Sequence, residues 1–249
     1  MKIVLVGGGS GISPLLTEFA RNGISTTAIV TVFDDGSSTG ILRKKFDIPA
    51  VGDFRKCVSA TANSIAEFFE KRVGGHALGN LILADLTREF GFKKATEIFA
   101  DFGAARVVPV SFSNSRLIGD LENGSKIFGE SKFDHPPKKF LAEKIIKISL
   151  VPRAKLNPEV PKIFASADKI LVGPGSVFGS LLVNFAVPGF RKSFEKSRAQ
   201  KILVRNSSDE FGCRGENSAE IQKRFGVEFD WILPPRKYSA KKLIQKILA

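Results

Sequence analysis

Lys2–Val6 is a short run of apolar, mostly β-branched residues that ends in Gly7-Gly8-Gly9-Ser10-Gly11. A buried strand that runs straight into glycines needs a sharp backbone turn at its end. The next segment reads as a helix: Ser13-Pro14 suits a helix start, because proline is tolerated at the first helical position. Leu15, Leu16, Phe19 and Ala20 supply one apolar stripe, and Gly23 stops it. Thr26–Phe33 reads as a second buried strand. Strand, loop, helix and strand within about thirty residues imply a parallel pair joined by a right-handed crossover.

The rest of the chain continues the alternation. Asp34-Asp35-Gly36-Ser37-Ser38-Thr39-Gly40 forms a second loop after the second strand. Helices are expected over 53–72, 78–90 and 241–248, and strands over 106–111, 145–151, 169–172, 201–204 and 229–233. Residues 117–121 and 126–130 flank Asn123-Gly124 and read as a hairpin. The fold class implied is α/β, a mostly parallel sheet with helices on both faces. It is expected to form a single domain over residues 1–249, with a small antiparallel, β-rich insertion near 110–150. In such sheets ligands bind outside the carboxyl ends of the strands.

Composition narrows the class. With 249 residues, 43% apolar and 25% charged, the chain is globular in character. Its two cysteines, Cys57 and Cys213, make neither a disulfide framework nor a zinc motif, which fits a reducing cytoplasm. Met1–Val6 is too short for a signal-peptide core, and no apolar run reaches the ~18 residues of a membrane span, so no membrane insertion is expected. The net charge of +13 favours anionic ligands. The lysines are dispersed, however, and one Tyr and one Trp supply no basic stripe interleaved with aromatics. No nucleic-acid partner is therefore expected. A homo-oligomer is compatible with the sequence, which does not set the number of copies.

Three glycine-containing loops sit at the ends of predicted parallel strands and should converge on one crevice. Gly8, Gly9, Ser10 and Gly11 can bring amide groups close to a phosphate at a helix N-terminus. The loop is not a Walker A motif, and Ile12 breaks a strict dinucleotide fingerprint. Gly173, Gly175 and Ser176 form the third loop. Between them, Asp34 and Asp35 could hold a ribose hydroxyl or Mg²⁺, with Ser37 and Ser38 offering nearby hydroxyls. A plain Asx turn opening the Gly36 loop is the other reading. Arg55 follows Asp53 at an expected helix start, where Asp53 is a catalytic candidate or a simple N-cap. His76 is a candidate acid or base, and Asn80, four residues on, could read a nucleobase edge. Asp35 is a catalytic candidate too and the candidate metal ligand, so Mg²⁺ is the only cofactor suggested. Cys57 has apolar neighbours and reads as core.

These residues resemble a known family. Gly7–Gly11, Asp34–Gly40, Gly52-Asp53-Phe54-Arg55, Gly75–Asn80 and Gly173–Ser180 occur in the order seen in the gluconeogenesis factor (YvcK-like) family, which is related to 2-phospho-L-lactate transferase. The resemblance covers roughly residues 1–205. It implies a Rossmann-like fold and a UDP-sugar-binding regulator of carbon metabolism, cell shape and cell-wall synthesis. The alternative it implies is a Mg²⁺-dependent transferase moving a phospholactyl group onto a deazaflavin precursor. Ser37 stands where the family usually has a second glycine, and Phe178 where it has a tyrosine near the ligand. The resemblance thus implies that Phe178 packs on a ligand ring. The family's tail motif is not recognisable after Asn206.

Overall fold

The computed structural model describes residues 1–62, 65–205, 211–213, 215–234 and 240–248. The strands are β1 (Ile3–Gly7), β2 (Thr26–Val30), β3 (Arg72–Val73), β4 (His76–Ala77), β5 (Arg106–Pro109), β6 (Arg116–Leu121), β7 (Lys126–Phe128), β8 (Ile145–Val151), β9 (Lys169–Val172), β10 (Gln200–Val204) and β11 (Trp231–Leu233). The helices that matter for the site are α1 (Gly9–Arg21), α2 (Ser37–Phe46), α3 (Gly52–Ser59), α4 (Ala66–Glu70) and α5 (Leu78–Ala100).

Six strands make the central sheet in the order β11-β10-β9-β1-β2-β5. Each adjacent pair is parallel. The chain builds outward from β1 through β2 to β5, then returns to the other side of β1 for β9, β10 and β11. The direction of winding therefore reverses between β1 and β9, which is where an open α/β sheet leaves a crevice at its carboxyl edge. All five residues of β1 are buried. This explains the continuous apolar run: a central parallel strand is covered on both faces. The insertion is a separate antiparallel sheet, ordered β7-β6-β8, with Gly124 at φ +82° in its first turn.

Several expected boundaries move. Helix α1 begins at Gly9, so Pro14 lies inside it rather than opening it. The expected helix over 53–72 divides into α3 and α4. After α3, Thr61 and Ala62 turn toward another part of the chain. The Ala104 amide bonds the Thr61 carbonyl at 3.1 Å, and Ala62 bridges Gly103. Positions 63 and 64 lie outside the described residues. The end of the expected helix is instead a two-rung ladder, β3 with β4, whose turn is Gly74 and Gly75, both at positive φ. Helix α5 continues past Phe90 to Ala100, but Gly91 at φ +75° breaks it where the sequence placed its end.

Candidate functional site

The loops after β2, β1 and β9 come from three adjacent strands and meet above the sheet's carboxyl edge. They meet closely because glycine stands at the contacts. A Cβ on Gly9 would lie 2.6 Å from the Asp53 carbonyl oxygen, and one on Gly11 would overlap the Pro174 carbonyl. Gly8 faces the Asp53 carboxylate and the Ser180 hydroxyl. Gly9 donates its amide to Asp53. Ser10 is exposed at the start of α1, and its hydroxyl accepts from Lys56 Nζ at 2.6 Å. Gly173 and Gly175 sit beside Leu181 and Ser180, and the Ser176 hydroxyl accepts from the Gly179 amide at 3.3 Å.

The acids divide their work. Asp34 Oδ1 accepts the Gly36 amide at 2.7 Å, forming the Asx turn that opens the loop. Asp35 Oδ1 reaches across to the insertion and accepts the Ser131 amide at 2.7 Å. Asp53 lies under the first loop, where burial and then the nearby Asp34 charge push its carboxyl up to about 6. Glu130, brought in by the insertion, is only 8% exposed. Burial raises its carboxyl to about 9, helped by Asp34, Asp134, Asp53 and Asp35 in that order. Burial likewise raises Asp134, although His135 and a hydrogen bond from Ser176 pull the other way. Sequence reasoning missed Glu130 and Asp134; an acid in a β-rich insertion carries no signal that it will fold over distant glycine loops. Among the described residues, no three His, Cys, Asp or Glu side chains are grouped closely enough to hold a metal ion.

A second polar group lies at the start of α2 and α5. His76 and Asn80 do not share a helical face, since His76 is in β4 and Asn80 in the first turn of α5. They meet instead on Ser38. Its hydroxyl lies 2.9 Å from His76 Nδ1 and accepts from Asn80 Nδ2 at 3.2 Å. Asn80 Oδ1 accepts from Arg55 Nε at 3.1 Å, and Arg55 also pairs with Glu70. Arg43, hidden in the basic end of α2, pins the whole loop. It donates to the Phe33 and Asp34 carbonyls, both at 2.9 Å, and to Asn114 Oδ1 and the Ser115 carbonyl. Ser37 takes φ +44°, a left-handed conformation that glycine adopts more readily.

Two further side chains are buried in the core, one of them against expectation. Phe178 is 1% exposed and sits between Phe133 and Phe225, with ring centroids at 6.2 and 5.7 Å. Its ring completes the core under the insertion and leaves no free face for a ligand ring. Cys57 is buried among apolar groups, which pushes its thiol well up and keeps it un-ionised, as the sequence suggested.

Sequence and overall fold are similar to those of known proteins. The family described as 2-phospho-L-lactate transferase CofD matches residues 3–224. The chain belongs to the CofD family. Within it, the gluconeogenesis factor of Bacillus subtilis is 34% identical over 218 residues, covering 82% of this chain and 67% of that protein. A relative from Aquifex aeolicus is 37% identical over 83% of this chain and 67% of its own length. A crystal structure of a UPF0052-family protein from Bacillus halodurans superposes with a TM-score of 0.86 at 32% identity, covering 99% of this chain and 84% of that one. This CofD-family chain thus shares sequence with gluconeogenesis factors and α/β architecture with a UPF0052-family protein. Among its described residues no helix is long and apolar enough to cross a membrane.

Proposed function

We propose that the crevice binds a nucleotide sugar of the UDP-sugar type and that binding serves regulation of carbon metabolism and cell-wall synthesis. The observation that carries this reading is the convergence of three loops from adjacent strands around one edge of the sheet. The first turn of α1 carries no acid of its own, although Asp53 takes the Gly9 amide, and a helix N-terminus of this kind suits a diphosphate. Ser38, His76 and Asn80 form a linked polar group beside it that suits the hydroxyls and amide edges of a nucleoside. The test is thermal stabilisation by UDP-sugars compared with NAD. Ligand at one hundred times its Kd adds about 2.7 kcal/mol to stability. UDP-sugars are expected to raise the melting midpoint and NAD is not; the reverse order would overturn the reading.

A second reading is a Mg²⁺-assisted phosphoryl or phospholactyl transfer, favoured by the family match and by the crowding of Asp34, Asp53 and Glu130. The described acids do not by themselves gather a metal shell. A divalent ion there would need ligand phosphate oxygens to complete its coordination. Incubation with UDP-sugar, or with a phospholactyl-guanosine donor and deazaflavin acceptor, with and without Mg²⁺, separates the two. Repeated turnover followed by mass spectrometry would establish the transferase; binding without consumption supports the regulator.

A further inference from the structure

The insertion reaches the crevice at Gly129-Glu130-Ser131, the turn that follows β7. Gly129 takes φ +90°, and a Cβ there would overlap the Asp35 carboxylate, so glycine lets the turn come this close. Ser131 gives its amide to Asp35, and the Phe133 amide donates to the Glu130 carbonyl at 2.8 Å. Phe133 then packs on Phe178. The backbone of Glu130 is held from both sides. Its side chain meets the helical turn Val177–Leu182 that follows the third loop, where a Cβ on Gly179 would overlap Glu130 Oε1. Ser180, the next residue, faces Gly8 in the first loop. The carboxyl thus stands one residue along from the place where the first and third loops touch.

Glu130 is only 8% exposed, yet no described residue donates a hydrogen bond to its carboxyl. Its oxygens keep a little accessible surface, so they are not sealed in the core. The charges that act on it most are all acids: Asp34, Asp134, Asp53 and Asp35. A buried polar group without a partner is unfavourable, and a ligand group can supply the partner. An anionic group would meet the negative charge of those acids. A metal ion would need several carboxylates at once, and the described acids are not grouped for that. A neutral hydroxyl-bearing group meets neither obstacle. Burial keeps the carboxyl protonated, so it offers one O–H donor and an acceptor oxygen, which neighbouring sugar hydroxyls match.

We propose that Glu130 selects the group carried beyond the diphosphate, accepting a neutral, hydroxyl-rich sugar and rejecting an acidic one. This rests on the nucleotide-sugar reading of the crevice. UDP, UDP-glucose and UDP-glucuronate are titrated by calorimetry against the full chain, in EDTA and again with Mg²⁺. The two sugars differ only by a carboxylate in place of a hydroxymethyl group. UDP-glucose is expected to bind about tenfold tighter than UDP, and UDP-glucuronate no tighter than UDP. Glu130→Leu fills a similar volume without polar atoms. It should erase the preference for UDP-glucose over UDP, both measured on that variant. Glu130→Gln keeps a donor and an acceptor and should hold the preference within about threefold of wild type. Melting midpoints check that both variants fold, and the wild-type order of the three ligands tests the idea without any variant. If no UDP compound binds, the nucleotide reading fails and this inference falls with it. If UDP binds but UDP-glucose gains nothing, or Glu130→Leu keeps the wild-type preference, this inference alone is overturned. It is also overturned if UDP-glucuronate binds as tightly as UDP-glucose. A Glu130→Leu loss seen only with Mg²⁺ would assign the carboxyl to a cation and overturn it too.

Discussion

The loops after β1 and after β2 lie side by side over the same edge of the sheet, yet different forces shape them. The β1 loop is shaped by contact: its glycines lie directly on the Asp53 and Pro174 backbone, and any side chain there meets atoms that cannot move. The β2 loop is shaped by polar side chains. Asp34 caps its own turn, Asp35 ties it to Ser131, and Arg43 holds its carbonyls from below. A glycine-rich loop at a strand end can therefore be a packing device as well as an anion cradle, and its neighbour can be a hydrogen-bonded frame.

Gly11→Ala puts this contrast to its most severe test. The added methyl would overlap a backbone carbonyl, so a loss above ~3 kcal/mol is expected in chemical denaturation. A near-neutral result would show that the β1 loop is loosely packed. For the β2 loop the matching change is Arg43→Met, which keeps much of the stem and removes the donors. It orphans four acceptors, and a loss of about 2–3 kcal/mol is expected. If Arg43→Met cost as little as a surface change, the frame would lie elsewhere.

Next comes Glu130, which the insertion sets among the acids of the crevice. The folded carboxyls of Asp53 and Glu130, at about 6 and about 9, lie above their ordinary values of 3.8 and 4.5. Groups raised in this way favour the folded state when protonated. Their contribution is fully present below the ordinary values and is lost as pH rises through the folded ones. Stability should thus fall from acid toward pH 9. Glu130→Gln should flatten the upper part of that fall and add about 1 kcal/mol or more at alkaline pH. Denaturation midpoints measured across pH check it, and an unchanged profile would remove Glu130 as the cause.

The smallest effect is expected at Ser37, the point where the polar loop uses a conformation suited to glycine. Ser37→Gly should relieve the left-handed φ of +44° and stabilise the fold by about 0.5–1 kcal/mol. A loss in denaturation experiments would mean that the serine hydroxyl does more for the loop than its backbone conformation costs.

Much of the fold was legible in the residues themselves. Apolar runs such as Ile3–Gly7 and Lys169–Val172 announce buried parallel strands because hydrophobic continuity and local propensity act over a few residues. Strands β8 and β9 fall where the pattern placed them, and the insertion appears with the antiparallel pairing that Asn123-Gly124 suggested. The Asx turn at Asp34 was likewise one of the local options. Long-range packing set the rest. Glu130 meets the glycine loops across the fold, Phe178 turns inward onto Phe133 and Phe225, and His76 joins Asn80 through Ser38 rather than along a helix. Such contacts join residues far apart in the chain, or turn on which way a side chain faces. Local spacing carries no record of which distant surface will cover a side chain, and that burial sets its partners and its protonation.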